Sequence, residues 1–236
     1  MSVAGQTQPL RILPRGRHAA PREVVAESQR ERLLVAMADA VAEKGYANVA
    51  VADVIERAGV SRRTFYEHHA NKEECFLAAY DAGVGGLLEA IAEAEEAAGA
   101  EGGGLLGSAR AGTETYLQLL ADNPAFARTF LVEVLAAGPA ALARRDAVHE
   151  RFAQRLAEGF RAIAQRSGDL PEPPPYIFRA AVGAIHELVI ERLLEQGAGS
   201  LPELLGPILE IELRLLSAPG RSAAPPTGRS RPRRGR

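Results

Sequence analysis

Tryptophan is absent from the 236 residues, and cysteine occurs once, at Cys75. A single thiol excludes an intramolecular disulfide and any zinc site built from several cysteines, and it suits a reducing compartment. Aromatic residues make up only 5% of the chain, so most of the core has to come from aliphatic side chains and alanine. Long apolar runs are also missing. No uninterrupted stretch approaches the roughly 18 residues of a membrane span, and Met1 to Ala26 lacks the apolar core of a secretory signal. The expectation is a soluble cytoplasmic protein with no membrane partner. Catalytic signatures are scarce too: there is no glycine-lysine phosphate loop, no zinc-protease helix motif and no nucleophile elbow. His68, His69 and Cys75 are too loosely spaced to argue for a metal. The sequence therefore predicts no enzyme, no catalytic residue, no cofactor and no metal.

What is present leans helical, with frequent alanine, leucine and glutamate, and 47% hydrophobic residues can bury a sizeable core. The net charge of −2 conceals an uneven distribution. Residues 1–72 hold 11 Lys+Arg against 8 Asp+Glu (+3), residues 73–216 hold 11 against 22 (−11), and residues 217–236 hold 6 against none (+6). A nucleic-acid site at one end, with an acidic body held away from the phosphates, gives this pattern. Solvated tails on an acidic enzyme give it equally well.

Met1 to Ala26 mixes Gly, Pro, Gln and the arginines 11, 15, 17 and 22 without apolar periodicity, which predicts a disordered basic arm. From Ser28 the spacing of Leu33, Leu34, Met37, Ala38 and Val41 predicts a first helix, stopped by Lys44 and Gly45. Val51, Val54, Ile55 and Ala58 form the apolar face of a second, shorter helix that ends at Gly59. Ser61 is a good N-cap for a third helix over Arg62 to His69, with Phe65 facing inward and Arg62, Arg63, Thr64 and Tyr66 outward. Two short helices joined by a glycine-containing turn read as a helix-turn-helix. Asn71 then caps a fourth helix, with Glu74 in the capping-box position.

Gly45-Tyr46, Ala52-Asp53-Val54, Ala58-Gly59-Val60-Ser61, Thr64-Phe65-Tyr66-Glu67-His68 and Asn71-Lys72-Glu73-Glu74 stand in an order and spacing that resembles the TetR (tetracycline-repressor) family. The resemblance covers about residues 27–87. It implies an all-α fold, with an N-terminal three-helix helix-turn-helix DNA-binding domain and a C-terminal helical ligand-binding and dimerisation domain. The expected organisation is a disordered arm at 1–26, the DNA-binding domain at 27–87, the regulatory domain at 88–216 and a disordered basic tail at 217–236. The implied function is a ligand-responsive repressor that binds a palindromic DNA operator as a dimer. The competing reading is a dimeric helical module that binds a small molecule or another protein but no DNA.

A helix entering the major groove presents its first residues to base edges while flanking groups grip phosphates. Arg62 and Arg63 stand at that position, and arginine engages guanine O6 and N7 in a bidentate way. Thr64, next to the Ser61 cap, is placed for a base or a phosphate. By resemblance, Tyr66, His68 and Lys72 are phosphate anchors, the last at a helix start that itself favours anions. Two positions depart from the family pattern. Val49 and Ala50 replace hydroxyl residues that cap the second helix, leaving Asn48 as a shifted cap, and His69 replaces a phenylalanine, so it is expected to have a partner or partial exposure.

Beyond residue 90 only length and helicity match. The stretch Gly102-Gly103-Gly104 formally begins a Gly-x-Gly-x-x-Gly spacing that ends at Gly107, but no strand precedes it and it reads as a linker. Later helices are expected over 112–121, 124–137, 139–166, 174–196 and 201–216. The last two carry apolar stripes too wide for a lone surface helix (Phe178, Ala181, Val182, Ile185, Leu188 and Val189, then Leu201 through Leu216), which by resemblance form a homodimer interface. Tyr116, Phe126, Phe130, Phe152 and Phe160 are candidates for the wall of a small-molecule effector pocket. His149, Glu133 and His186 are candidates for its polar groups. The arginines of the tails are either solvated or in contact with DNA.

Overall fold

The computed structural model describes residues 22–167 and 172–217. Among these residues it is helical throughout, with no strand. Helices α1 (Arg22–Lys44), α2 (Val51–Ala58) and α3 (Arg62–His68) form a small head. The body consists of α4 (Lys72–Ala100), α5 (Gly104–Asp122), α6 (Pro124–Leu131), α7 (Pro139–Ser167), α8 (Pro175–Gln196) and α9 (Leu205–Ser217). Short 3-10 segments at Tyr46–Asn48, Glu133–Ala136 and Ala198–Leu204 join them.

Helix α1 buries Leu33, Ala36, Met37, Ala40 and Val41 along one stripe. It begins at Arg22, inside the stretch expected to be an unstructured arm. Residues 22–31 hold good helix formers and no glycine or proline, so the helix extends without an apolar face, and Val24 and Val25 stay exposed. The arginines at 11, 15 and 17 and the tail at 218–236 lie outside the described residues.

Other boundaries shift for local reasons. Helix α5 starts at Gly104, not Gly112, because only Gly102 and Gly104 take left-handed conformations and Leu105 to Ala111 are free to be helical. Gly112 instead lies within α5 where it meets α4, and a Cβ there would overlap Glu95 Oε1. The segment 124–137 divides after Leu131 into α6 and a 3-10 turn. The segment 201–216 begins within a 3-10 turn, Ala198–Leu204, that contains Pro202, and becomes α-helical at Leu205.

Helix α4 is long and apolar enough, by length and composition, to cross a membrane. Asp81 and Glu89 interrupt its apolar sequence. It packs against α1, α5, α6 and α7, burying Cys75, Phe76, Tyr80, Val84, Leu87, Leu88 and Ile91, as the core helix of a globular protein does. One continuous core runs from Leu33 and Phe65 in the head to Leu201 and Ile208 in the body. A second, smaller cluster, with Phe160 and Phe178 at its centre, closes α7 against α8.

Candidate nucleic-acid interface

The turn between α2 and α3 is fixed by three local devices. Gly59 adopts φ 62°, a left-handed conformation that costs glycine least, and the Val60 amide donates back to the Ile55 carbonyl. Ser61 Oγ accepts from the Thr64 amide at 3.0 Å, satisfying one of the free donors at the start of α3. Phe65, fully buried, anchors the inner face of α3 to the head. With that face committed, the opposite face has to look outward.

Arg62 and Arg63 are both exposed there. The Arg62 guanidinium lies over the Tyr66 ring, 5.7 Å from its centroid, and Tyr66 in turn stands edge-on to Phe65 at 5.3 Å. Arg63 Nε donates to Glu67 Oε1 at 2.9 Å, one turn along the same helix. This pair is largely solvated, with the arginine side chain 87% exposed, so it is cheap to open. Thr64 is half-buried, and its hydroxyl is bonded to that of Ser61. His68 is half-buried at the end of α3. Ser61, Arg62, Arg63, Thr64 and Tyr66 therefore make one continuous outward surface, with His68 at its edge.

Lys72 is placed differently from the expectation of a free anchor. Its Nζ donates to the Tyr46 carbonyl at 2.9 Å and lies 4.3 Å from the centre of the Tyr46 ring. An ammonium has three donors, so this contact fixes the side chain against the first loop without exhausting it. The amide of Tyr46 is held from the other side, donating to Glu133 Oε2 at 2.9 Å. Glu133, a candidate for an effector pocket, thus belongs to the junction of head and body, where Arg128 also pairs with it. Nearby, Thr129 Oγ1 of α6 donates to the Ala38 carbonyl of α1.

The two departures resolve in ways the sequence did not indicate. Ala50 is the N-cap of α2 and has no capping side chain, and Asn48 does not replace it: its Nδ2 donates to the Lys44 carbonyl and closes α1 instead. The compensation comes from Asp53, whose Oδ2 accepts from the Ala50 amide at 2.8 Å while Oδ1 accepts from Lys44. The hydrogen bond from Lys44 and the Ala50 amide hold the Asp53 carboxyl below its ordinary range. Among the described residues, His69 has neither partner nor exposure. It is 4% exposed, its Nε2 is unpartnered, and burial pushes its pKa down, so it packs as a neutral ring 5.9 Å from Phe65. After it, Asn71 caps α4 through the Glu74 amide, and Glu74 returns a bond to the amide of Ala70, one residue before the cap.

The pocket candidates in the body are mostly brought together. Phe126 stacks on Phe130 and Phe130 on Tyr80, Tyr116 meets Phe152 edge-on, and His149 meets His186. Phe160 stands apart in the second cluster. Tyr80 and Arg145, which adjoin this array, carry no signal in the sequence that separates them from an ordinary core tyrosine and a surface arginine. A cavity of about 320 Å³ lies elsewhere, between α4 and α7, lined by Leu88, Ala92, Arg151 and Arg155 among others.

An exposed third helix on a three-helix head, joined to a helical body, is a helix-turn-helix architecture of the kind that DNA-binding regulators use. The family follows from the head itself. Residues 33–79 match the family described as bacterial regulatory proteins, tetR family. An uncharacterized HTH-type transcriptional regulator of Bacillus subtilis, YxbF, is 46% identical over 46 residues, 19% of this chain, and the match spans only 12% of that relative. The fold of the whole chain resembles that of the fatty acid degradation regulator FadR of Bacillus halodurans, with a TM-score of 0.70 at 17% identity, over 78% of this chain and 94% of that one. FadR of Bacillus subtilis, solved with stearoyl-CoA, gives 0.68 at 17% identity, over 79% and 98% of the two chains. A tetR-family protein from Rhodococcus RHA1 gives 0.61 at 22%, over 80% and 97%.

Proposed function

We propose that this protein is a cytoplasmic transcriptional repressor that binds a palindromic operator as a homodimer and releases it on binding a small-molecule effector. The observation that carries the reading is the free outer face of α3, where Arg62 and Arg63 project from a helix whose inner face is locked by Phe65. Arg62 and Arg63 read base edges in the major groove, Ser61 and Thr64 contact the same stretch of backbone or base, and Tyr66, His68 and Lys72 bind phosphates. Dimerisation runs through α8 and α9. Leu194 and Leu213 are 57% and 62% exposed although Phe178, Val189, Leu201 and Ile208 are buried, so these helices have apolar surface beyond what one protomer covers. Leu215 and Leu216 fall outside the described side chains. Two copies of the head related by a twofold axis require two half-sites related by the same axis.

Selection of binding sites from random duplex DNA, run beside an Arg62→Ala, Arg63→Ala variant, tests this. An inverted repeat enriched by the native chain and lost by the variant is the expected result. No enrichment at low salt would return the protein to the class of helical modules without DNA binding.

A further inference from the structure

Three buried nitrogens in the body have no hydrogen-bond partner among the described residues: Arg145 Nε, His149 Nε2 and His186 Nε2. They belong to one cluster. Arg145 and His149 are one turn apart on α7, and the His149 ring meets the His186 ring of α8 with 4.5 Å between centroids. His186 is 6% exposed. The Arg145 charge reaches both imidazoles and the Tyr80 hydroxyl of α4. Burial first, then neighbouring positive charge and imidazole, pushes His149 down to about 4 and His186 down to about 3, so both rings are neutral at physiological pH.

The surrounding charges leave the cluster electropositive. Asp146 Oδ1 stands 3.7 Å from Arg145, but the Asp146 side chain is 63% exposed and its charge is screened by solvent. Arg179 also faces His149, and it is paired with Glu150. A guanidinium offers planar donors that fit two oxygens at once, and a neutral imidazole can present an N–H beside it. That donor set is complementary to a carboxylate. Two neutral imidazoles also suit a transition metal in principle, but a fixed positive charge repels a divalent cation. Among the described residues, no group of three or more His, Cys, Asp or Glu is placed to hold a metal ion. Tyr80, which the Arg145 charge reaches, shares one apolar core with Tyr116 and Phe152, contributed by α4, α5 and α7.

We infer that Arg145, His149 and His186 bind the carboxylate of a small organic acid whose apolar body lies against these rings, and that such an acid is the effector. The inference rests on the regulatory reading above for its second half only. Binding is therefore measured first without DNA, on the full chain, by thermal shift and titration calorimetry with benzoate and octanoate against their neutral amides. At least one acid should raise the melting temperature while its amide does not, and Arg145→Met should weaken that acid about tenfold or more. If Arg145→Met fails to fold, Arg145→Lys serves instead, because it keeps the charge and loses the bidentate fork. In the native chain, the ¹⁵N imidazole resonances of His149 and His186 should move on adding the acid, while those of His68 and His69 stay fixed. Equal binding of acid and amide, no binding of either acid, or unmoved His149 and His186 resonances would overturn the site. An acid that binds through Arg145 yet leaves the operator complex intact would uphold the site and overturn its role as effector site.

Discussion

Gly83 and Gly86 lie three residues apart in α4, and alanine should stabilise the second but not the first. In a helix interior, alanine is about 1 kcal/mol more favourable than glycine. At Gly86 nothing lies within 4 Å of the position a Cβ would take, so that gain should be realised in full. At Gly83 the added carbon would overlap Cε2 of Phe126 and stand 2.8 Å from its Cδ2. The ring cannot simply turn away, because it is stacked at 5.3 Å on Phe130, which is stacked at 5.4 Å on Tyr80. Overpacking of this kind costs about 1–3 kcal/mol, which cancels the propensity gain and leaves Gly83→Ala neutral to about 2 kcal/mol destabilised. The two variants should therefore differ by about 2 kcal/mol, or about 4–8 °C in melting temperature for a chain of this size. Far-UV circular dichroism on heating measures it. In a Phe126→Leu background the penalty at Gly83 should shrink, since a flexible side chain can withdraw. Equal stabilisation by both alanines would refute the claim that α4 and α6 meet at this glycine.

Other substitutions test the remaining links. Ser61→Ala removes the N-cap of α3 and should cost about 1 kcal/mol in denaturant titration, with Ser61→Asp restoring most of it; no change would deny the cap. Glu133→Ala leaves the Tyr46 amide without its acceptor and should cost about 1–3 kcal/mol, whereas Glu133→Gln, which can still accept, should cost less. Operator affinity should fall steeply and linearly with the logarithm of salt concentration, and a flat response would contradict phosphate anchoring. Acid should destabilise the protein through His186, which is held down to about 3 by burial, His149 and Arg145, against its ordinary 6.5. The unfolded chain binds the proton first, so stability is full above about pH 6.5 and declines as pH falls towards 3, by up to about 1.4 kcal/mol per pH unit. His186→Phe should flatten that part of the profile, and an unaltered slope would show that the ring is not held neutral.

The parts of the fold that were legible in the sequence are those fixed by contacts a few residues apart. Gly59, Ser61 and Asn71 announce the ends of helices through their own backbone and side-chain chemistry, and Phe65 announces the inner face of α3 by its spacing. Apolar stripes likewise identified the body as helical. Most of the features that the sequence did not indicate depend on which of several polar residues the packing selects. Asp53 caps α2 because Ala50 cannot, and Lys72 turns inward because Tyr46 lies beneath it. Glu133 reads as a polar residue on an apolar helix until the Tyr46 amide, 87 residues earlier, is seen to need an acceptor. Arg145 is one of several arginines along α7, and periodicity alone does not reveal which one the packing of α8 turns towards the core. The early start of α1 was missed for the opposite reason: helix propensity suffices there without any apolar face.

The junction of head and body explains why such long-range contacts matter to the proposed regulation. Tyr46 is held at three points by the body: its amide by Glu133, its carbonyl by Lys72 at the start of α4, and its ring by Phe76, 4.8 Å away on α4. The two helices that lead to these points, α4 and α6, also carry Tyr80, Phe126 and Phe130, the stack beside which Arg145 and the two histidines stand. A ligand that separates or twists these rings acts on both helices at once, and packed rings have few intermediate arrangements in which to absorb the change. The heads of a dimer would then lose the spacing that a fixed operator demands. By linkage, the operator must weaken that ligand by the same factor. Glu133→Ala should therefore do more than destabilise: it frees the Tyr46 amide from the 3-10 turn that follows α6, so a ligand should still bind while its effect on operator affinity diminishes. Undiminished coupling in that variant would show that the Glu133 contact does not carry the signal between head and body.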